Sequence, residues 1–250
     1  MVDLPRRSLL AGIAALGASA CSRINDHETT RSLFKAAEDA HRAVHRALAG
    51  KQGLAREYAR DARSPTFRGN GSVTIPDPYY QQQLAIGFPD WRLAVTGLVE
   101  QPLALSLADI RALPQRTQIT RHDCVEGWSA IGKWQGAQLG PLLQTAGLKP
   151  NARFAVMHCA DNYGGGADMY YESIDLIDGF HPQTILAYNL NGQPLDVAHG
   201  APLRLRVERQ LGYKHAKYLM RIEMVERLDS FGRGKGGYWE DRGYEWYAGI

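Results

Sequence analysis

Cysteine is scarce in this chain: 250 residues contain three, Cys21, Cys124 and Cys159. No Cys-x-x-Cys-His is present, so no haem c is attached covalently to this chain. The absence of Cys-x-x-Cys and His-Glu-x-x-His spacing argues against an ordinary zinc site. Glycine-rich Asp161-Asn162-Tyr163-Gly164-Gly165-Gly166 has neither Walker nor dinucleotide spacing and reads as a turn or pocket rim. Charge of one sign is also lacking, with a net charge of only +3. No basic block interleaves with aromatics, which excludes nucleic acid as a partner class. No internal repeat is visible. The apolar run Leu9 to Ala20 is too short to span a bilayer.

What is present describes a globular protein, 44% hydrophobic and 22% charged. One domain with an N-terminal extension is expected: an export signal over 1–20, a helical extension and linker over 21–78, and a body over 79–250. Arg6-Arg7-Ser8-Leu9-Leu10 reads as a twin-arginine signal, with an ordinary secretory signal as the alternative. Either sends the chain to the periplasm. Ala18-Ser19-Ala20-Cys21 makes Cys21 a candidate lipid anchor, against simple cleavage after Ala20.

Leu33, Ala37, Ala40, Val44 and Leu48 recur at helical spacing and predict an amphipathic helix over 29–48. Ser64-Pro65, Gly69-Asn70-Gly71 and Pro76-Asp77-Pro78 mark a loop or linker. Strands are expected over 91–99, 117–120, 153–159, 184–190, 202–207 and 218–228. Asn191-Gly192 is a hairpin signal. Short helices are expected over 107–113, capped by Ser106 with Asp109, and over 139–146, closed by Gly147. In 202–207 the alternation of Leu203, Leu205 and Val207 with Arg204 and Arg206 predicts a half-buried strand. In 218–228 Leu219, Arg221, Glu223 and Val225 should face one side, and Met220, Ile222 and Met224 the other. Strand dominance with short helices gives an α+β class with mixed sheets. The aromatic tail from Tyr238 should pack onto the body rather than expose its rings.

The chemistry concentrates at Arg121-His122-Asp123-Cys124-Val125-Glu126-Gly127-Trp128. Cys124 should leave a strand there as the chain enters a loop, with positive charge from Arg121 or a protonated His122 favouring its thiolate. This motif, with Trp134 and Gly136 beyond it, resembles the cofactor motif of the sulfite-oxidase-fold molybdenum enzymes. The likeness is nearest to the branch of the bacterial periplasmic methionine-sulfoxide reductase, and it runs roughly from Trp91 to Arg227.

The resemblance implies the sulfite-oxidase fold, a molybdopterin cofactor, and Cys124 as the protein ligand to molybdenum. It implies that His199-Gly200-Ala201-Pro202-Leu203-Arg204 and Gly212-Tyr213-Lys214-His215-Ala216-Lys217 hold the cofactor phosphate. Arg204, Gly212, Lys214 and Lys217 would make the contacts, with His199 in place of the family's Asn-type residue. His122 would touch the pterin or a neighbouring oxygen, and Cys159 stands where the reductase branch has a small hydroxyl residue. Glu208-Arg209 replaces that branch's Pro-Trp, so the substrate mouth should differ.

Such an enzyme moves an oxygen atom to or from a small sulfur or nitrogen centre, exchanging electrons with a separate cytochrome or quinone-linked membrane subunit. Sulfite-type oxidation needs an anion pocket, for which Arg121 and Arg209 are the candidates; sulfoxide reduction needs a more neutral one. The alternatives are a Cys124–Cys159 disulfide, a zinc site built from His122, Cys124 and His158 or His215, and a non-catalytic binding domain of the same fold.

Overall fold

The computed structural model describes residues 28–50, 53–163 and 168–250. Residues 1–20, expected as an export signal, Cys21 and Gly164–Gly166 of the glycine-rich stretch lie outside the described residues. By packing the chain divides after Gly50. The first unit holds helix α1 (Glu28–Ala49), which matches the apolar stripe read from the sequence. No helix among the described residues is long and apolar enough to cross a membrane.

The second unit is built on two five-stranded sheets. One has the order β2 (Leu103–Leu105), β1 (Leu93–Gly97), β10 (Leu219–Val225), β5 (Phe154–Cys159), β6 (Tyr171–Asp175). Only the β1–β10 pairing is parallel, with Ala94 opposite Arg221. The other runs β3 (Gln115–Asp123), β4 (Ser129–Gln138), β7 (Ile185–Leu190), β8 (Gln193–Pro194), and β9 (Arg204–Arg206) also pairs with β7. Trp91, Leu93, Trp134, Leu139, Leu142, Leu186 and Ile222 are fully buried between these elements and two short helices, α3 (Leu107–Ala112) and α4 (Leu139–Ala146). Ser106 and Asp109 close a reciprocal capping box on α3, as expected.

Several elements escaped the sequence reading, among them one helix and two strands near the site. Helix α2 (Pro78–Ala85) starts where a loop was expected, because the Asp77 side chain accepts the Tyr80 N–H and Pro78 occupies the first turn. In β4, Gly132 and Gly136 interrupt the apolar alternation, and β6 is too polar to read as a buried strand. Residues 53–77, expected as linker, pack on the body: Phe67 and Ile75 are buried, and Tyr58 donates its N–H to the Ile119 carbonyl at 2.9 Å.

Strand β9 corrects an expectation. It is buried on both faces, and Arg204 and Arg206 are both 0% exposed. The alternation was real, but the face carrying the arginines looks into the protein rather than into water. In β10 the expected two-sided pattern holds from Arg221 onward, while a register shift between Leu219 and Arg221 places Leu219 in the core.

The C-terminal tail packs on the body. The Trp246 indole N–H donates to the Ser173 hydroxyl at 2.8 Å, and the Ile250 N–H to the Arg209 carbonyl at 3.0 Å. At the join, the Lys214 ammonium is buried between the carboxylates of Glu172 on β6 and Glu240 in the tail. Burial, then the neighbouring Glu240, pushes the Glu172 carboxyl well above its usual range, so the intervening cation is what keeps two acids tolerable there. Lys214→Ala removes that cation from a water-free site and is expected to lower unfolding stability by about 3–5 kcal/mol. Urea unfolding checks this; a loss below 1 kcal/mol would contradict the anchoring role.

Candidate functional site

Antiparallel β3 and β4 form a hairpin whose last pair is Asp123 opposite Ser129. Cys124 leaves the ladder at its tip, as the sequence suggested. Its N–H donates to the Trp128 carbonyl at 2.9 Å, and the Gly127 N–H returns to the Cys124 carbonyl at 3.0 Å. Cys124 and Cys159 are both free thiols, so the disulfide alternative does not hold. The Cys124 thiol lines a cavity with Ser72, Asp161, Tyr163, His215 and Lys217.

Alternation along β3 puts His122 on the inner face and Arg121 on the outer one. His122 is walled in by Phe67, Trp128 and His215, with ring centroids 5.1–5.7 Å away. Its Nδ1 lies 2.8 Å from the Arg206 guanidinium, an acceptor role that requires a neutral imidazole. Burial, then the charges of Arg206, Arg204 and Lys217, hold the His122 pKa well below the usual value. A protonated His122 is therefore not the activator of Cys124. Arg121 is not one either, because its guanidinium pairs with Asp123 at 2.9 Å on the exposed side. Burial instead pushes the Cys124 thiol up. A metal bound at this thiol would favour its deprotonated form.

Behind the cavity, both β9 guanidinium groups lie over the Trp134 ring, at 5.1 Å for Arg204 and 4.4 Å for Arg206. Arg206 is bound by the Glu208 carboxylate. Arg204 donates to the carbonyls of His199 at 3.1 Å and His215 at 3.2 Å, and its Nε has no partner. Gly212 belongs to the cavity wall, and a Cβ there would lie 2.5 Å from His122 Nε2, so only glycine lets this turn close on the histidine. The Lys217 ammonium reaches the Ser72 carbonyl at 2.6 Å and the Ala198 carbonyl at 3.0 Å. Burial and Arg204 pull its pKa down to about 7, while burial raises Asp161 to about 6.

Of the sequence-expected residues, Cys124, Gly212 and Lys217 line the cavity, with His122 and Arg204 directly behind it. The others are placed differently. Lys214 is committed to Glu172 and Glu240. Arg209 donates to Asp178 at 2.8 Å in the interior, and Arg121 is on the outer face; neither lines the cavity, which corrects both as an anion pocket. Both His199 ring nitrogens are engaged, with Asp196 at 2.7 Å and the Phe67 carbonyl at 2.9 Å, so its carbonyl, not its ring, serves Arg204. Cys159 is buried in the wall of a second cavity. Asp161 and Tyr163, from the stretch read as a turn or pocket rim, line the cavity, whereas Asn70, Ser72, Tyr170, Trp239 and Tyr244 were missed as lining residues. Asn70 lay within a glycine-flanked loop signal, and Trp239 and Tyr244 within a tail read only as packing.

Among the described residues no three His, Cys, Asp or Glu side chains converge on one point, so a metal held by Cys124 takes its other ligands from outside the chain. A polar cofactor fits. Asn70 Oδ1, Asp161 Oδ1, Arg204 Nε and His215 Nδ1 are buried at or beside the cavity without a partner in the protein. Buried polar atoms in native proteins are almost always satisfied, so these await donors and acceptors from a bound group. Arg204 and Lys217 make one end cationic, as a phosphate requires.

Residues 80–231 match the oxidoreductase molybdopterin binding domain family. The chain belongs to that family: it is a molybdenum-dependent oxidoreductase of sulfite-oxidase fold, and its cofactor is molybdopterin. Among its relatives is a putative protein-methionine-sulfoxide reductase subunit, YedZ1, of Azospira oryzae, 35% identical over 98% of this chain and 86% of that protein. The methionine-sulfoxide reductase catalytic subunit MsrP of Xanthomonas campestris is 34% identical over 55% of this chain, which spans 46% of that protein. The sulfane dehydrogenase SoxCD of Paracoccus pantotrophus superposes with a TM-score of 0.50 at 26% identity, covering 55% of this chain and 39% of that one.

The buried histidines make stability pH-dependent. Burial, then Arg206, holds His215 far below its usual pKa in the folded protein, while in the unfolded chain it protonates near pH ~6.5. Its contribution is fully present above that pH and is lost as pH falls below it, by up to roughly 1.4 kcal/mol per pH unit. Asp161, raised in the fold, acts with the opposite sign below about pH 6, so the comparison is with a variant. Wild type should lose more unfolding free energy between pH 7.5 and 5 than His215→Gln does. Equal losses would show that His215 is not held neutral.

Proposed function

We propose that this chain is an exported enzyme that reduces a sulfoxide, taking electrons from a separate redox partner in the periplasm or its membrane. The observation that carries the direction is the charge of the cavity around Cys124. Its lining carries Glu126 and Asp161 as acids and one cation, Lys217, which is tied to backbone carbonyls. Tyr163, Tyr213, Trp239 and Tyr244 add aromatic rings to the lining. A sulfite dianion would meet carboxylates and rings there. A neutral sulfoxide with apolar substituents suits the same surface, through apolar contact and a polar S–O end. The names of the Azospira and Xanthomonas relatives support the same substrate class.

Molybdenum held by sulfur ligands supplies two-electron oxygen-atom transfer. The chain's own residues set that chemistry in place. Cys124 is the protein ligand, presented at a hairpin tip whose backbone is fixed by Trp128. Arg204, Lys217 and the Gly212 turn hold the phosphate end. Neutral His122 and His215 offer Nε2 and Nδ1 to the pterin without adding charge. The aromatic rim excludes water and orients substrate. In the net reaction the S–O bond breaks, two electrons arrive from the redox partner, two protons from solvent, and oxygen leaves as water. The twin-arginine reading of Arg6-Arg7 belongs to this proposal, since that route carries folded, cofactor-loaded proteins, and Cys21 remains its candidate lipid anchor.

With holoenzyme, methionine sulfoxide should be reduced by a reduced dye with a higher kcat/KM than sulfite is oxidised with a ferric acceptor. Faster sulfite oxidation would reverse the assignment.

A further inference from the structure

The sequence Phe231-Gly232-Arg233-Gly234-Lys235-Gly236-Gly237 takes no part in the site described above. It is nonetheless closely specified. The Asp241 carboxylate accepts the Arg233 N–H at 2.8 Å, the Lys235 N–H at 3.1 Å and the Tyr171 hydroxyl at 2.7 Å. Gly232 has φ +53°, and a Cβ there would collide with that carboxylate. The loop is thus wound around an internal anion, and its backbone has no donor to spare at Arg233 or Lys235. What it offers outward is two side chains. Arg233 and Lys235 are exposed, and among the described residues neither forms an ion pair. Their charged neighbours are already matched: Arg227 with Asp229, Arg242 with Asp168, and Arg221 with Glu223.

Position gives these cations meaning. Arg233 edges a second cavity whose wall includes Tyr170 and Tyr238. Tyr170 also lines the cofactor cavity, and it stacks on Tyr238 with centroids 5.4 Å apart. Tyr170 is therefore the ring that the two cavities share, with Tyr238 stacked on it and the Arg242 guanidinium 3.5 Å from the Tyr238 centroid. Electron tunnelling falls off exponentially with distance, so a carrier is best docked where the protein over the cofactor is thin.

We propose that the Phe231–Gly237 loop is the docking surface for an acidic protein electron carrier, with Arg233 and Lys235 steering it onto the Tyr238–Tyr170 wall. This rests on the oxygen-atom-transfer reading above for its need of electrons. The fixed loop holds the two charges at one place without ordering cost on binding, and charge complementarity of this kind acts chiefly on association rate.

Two viologens of opposite charge test it: reduced methyl viologen, a cation, and reduced bis(sulfonatopropyl) viologen, an anion, each donating electrons to holoenzyme at saturating methionine sulfoxide. Arg233→Glu/Lys235→Glu should lower kcat/KM for the anionic donor by about tenfold or more, with loss of its salt dependence. The methyl viologen rate and the KM for sulfoxide should hold or rise. Lys149→Glu/Arg63→Glu, which changes net charge equally at a distance, should leave the anionic donor unaffected. Quenching of tryptophan fluorescence by the oxidised sulfonated viologen gives a binding readout independent of turnover, and should weaken only in the Arg233/Lys235 variant. An unchanged anionic-donor rate, or an equal loss in the control variant, overturns the proposal. So does Arg233- and Lys235-dependent sedimentation with phosphatidylglycerol vesicles without any change in donor kinetics, which would make the loop a lipid contact. If neither donor supports turnover, the oxygen-transfer reading has failed instead, and the quenching comparison still decides whether the loop binds anions.

Discussion

Two arginines on a three-residue strand constrain everything around them. Arg204 and Arg206 are like charges, both fully buried, two residues apart on β9. Desolvating each costs several kcal/mol, so the surrounding structure must compensate. It does so with the Glu208 carboxylate, the carbonyls of His199 and His215, the face of Trp134 and the lone pair of His122. The compensation is incomplete, since Arg204 Nε is unpartnered and Lys217 adds a third cation nearby. An anionic group bound at this end, such as the cofactor phosphate, would complete it.

The same constraint explains the state of the site. Burial, then guanidinium charge, keeps His122 and His215 neutral, and neutral imidazoles place no cation beside Cys124. Burial raises the thiol's pKa, so Cys124 is unlike a catalytic cysteine activated by a neighbouring cationic histidine. Cys124 itself is placed by short-range geometry, at the tip of the β3–β4 hairpin. The charge balance behind the cavity and the hairpin in front of it are separate devices, and together they bring a cationic end and the Cys124 thiol into one site.

Legibility in the sequence followed locality. The hairpin cysteine, the Ser106 capping box, Gly147 and Asn191-Gly192 are set by neighbours within a few residues, and each was readable. The α+β class followed from strand dominance, and the cofactor motif from the residues after Cys124. What could not be read depends on partners far along the chain. Lys214 looked like a phosphate ligand because its turn matched a motif; its actual partners, Glu172 and Glu240, come from β6 and the tail. Arg209 was offered as an anion contact, but Asp178, thirty-one positions earlier, claims it. The alternation in β9 marked two faces correctly without saying that both are covered. Trp239 and Tyr244 converge on the cavity only after the tail has folded back, so their roles had no local signal.

Cys124 as the protein ligand to molybdenum is the central proposal. Molybdenum K-edge X-ray absorption on the holoenzyme and on Cys124→Ser measures this directly, alongside pterin content. The account predicts one sulfur scatterer fewer in the variant, with pterin retained and the Arg204–Lys217 end of the site still occupied. Identical sulfur shells in the two proteins would contradict it.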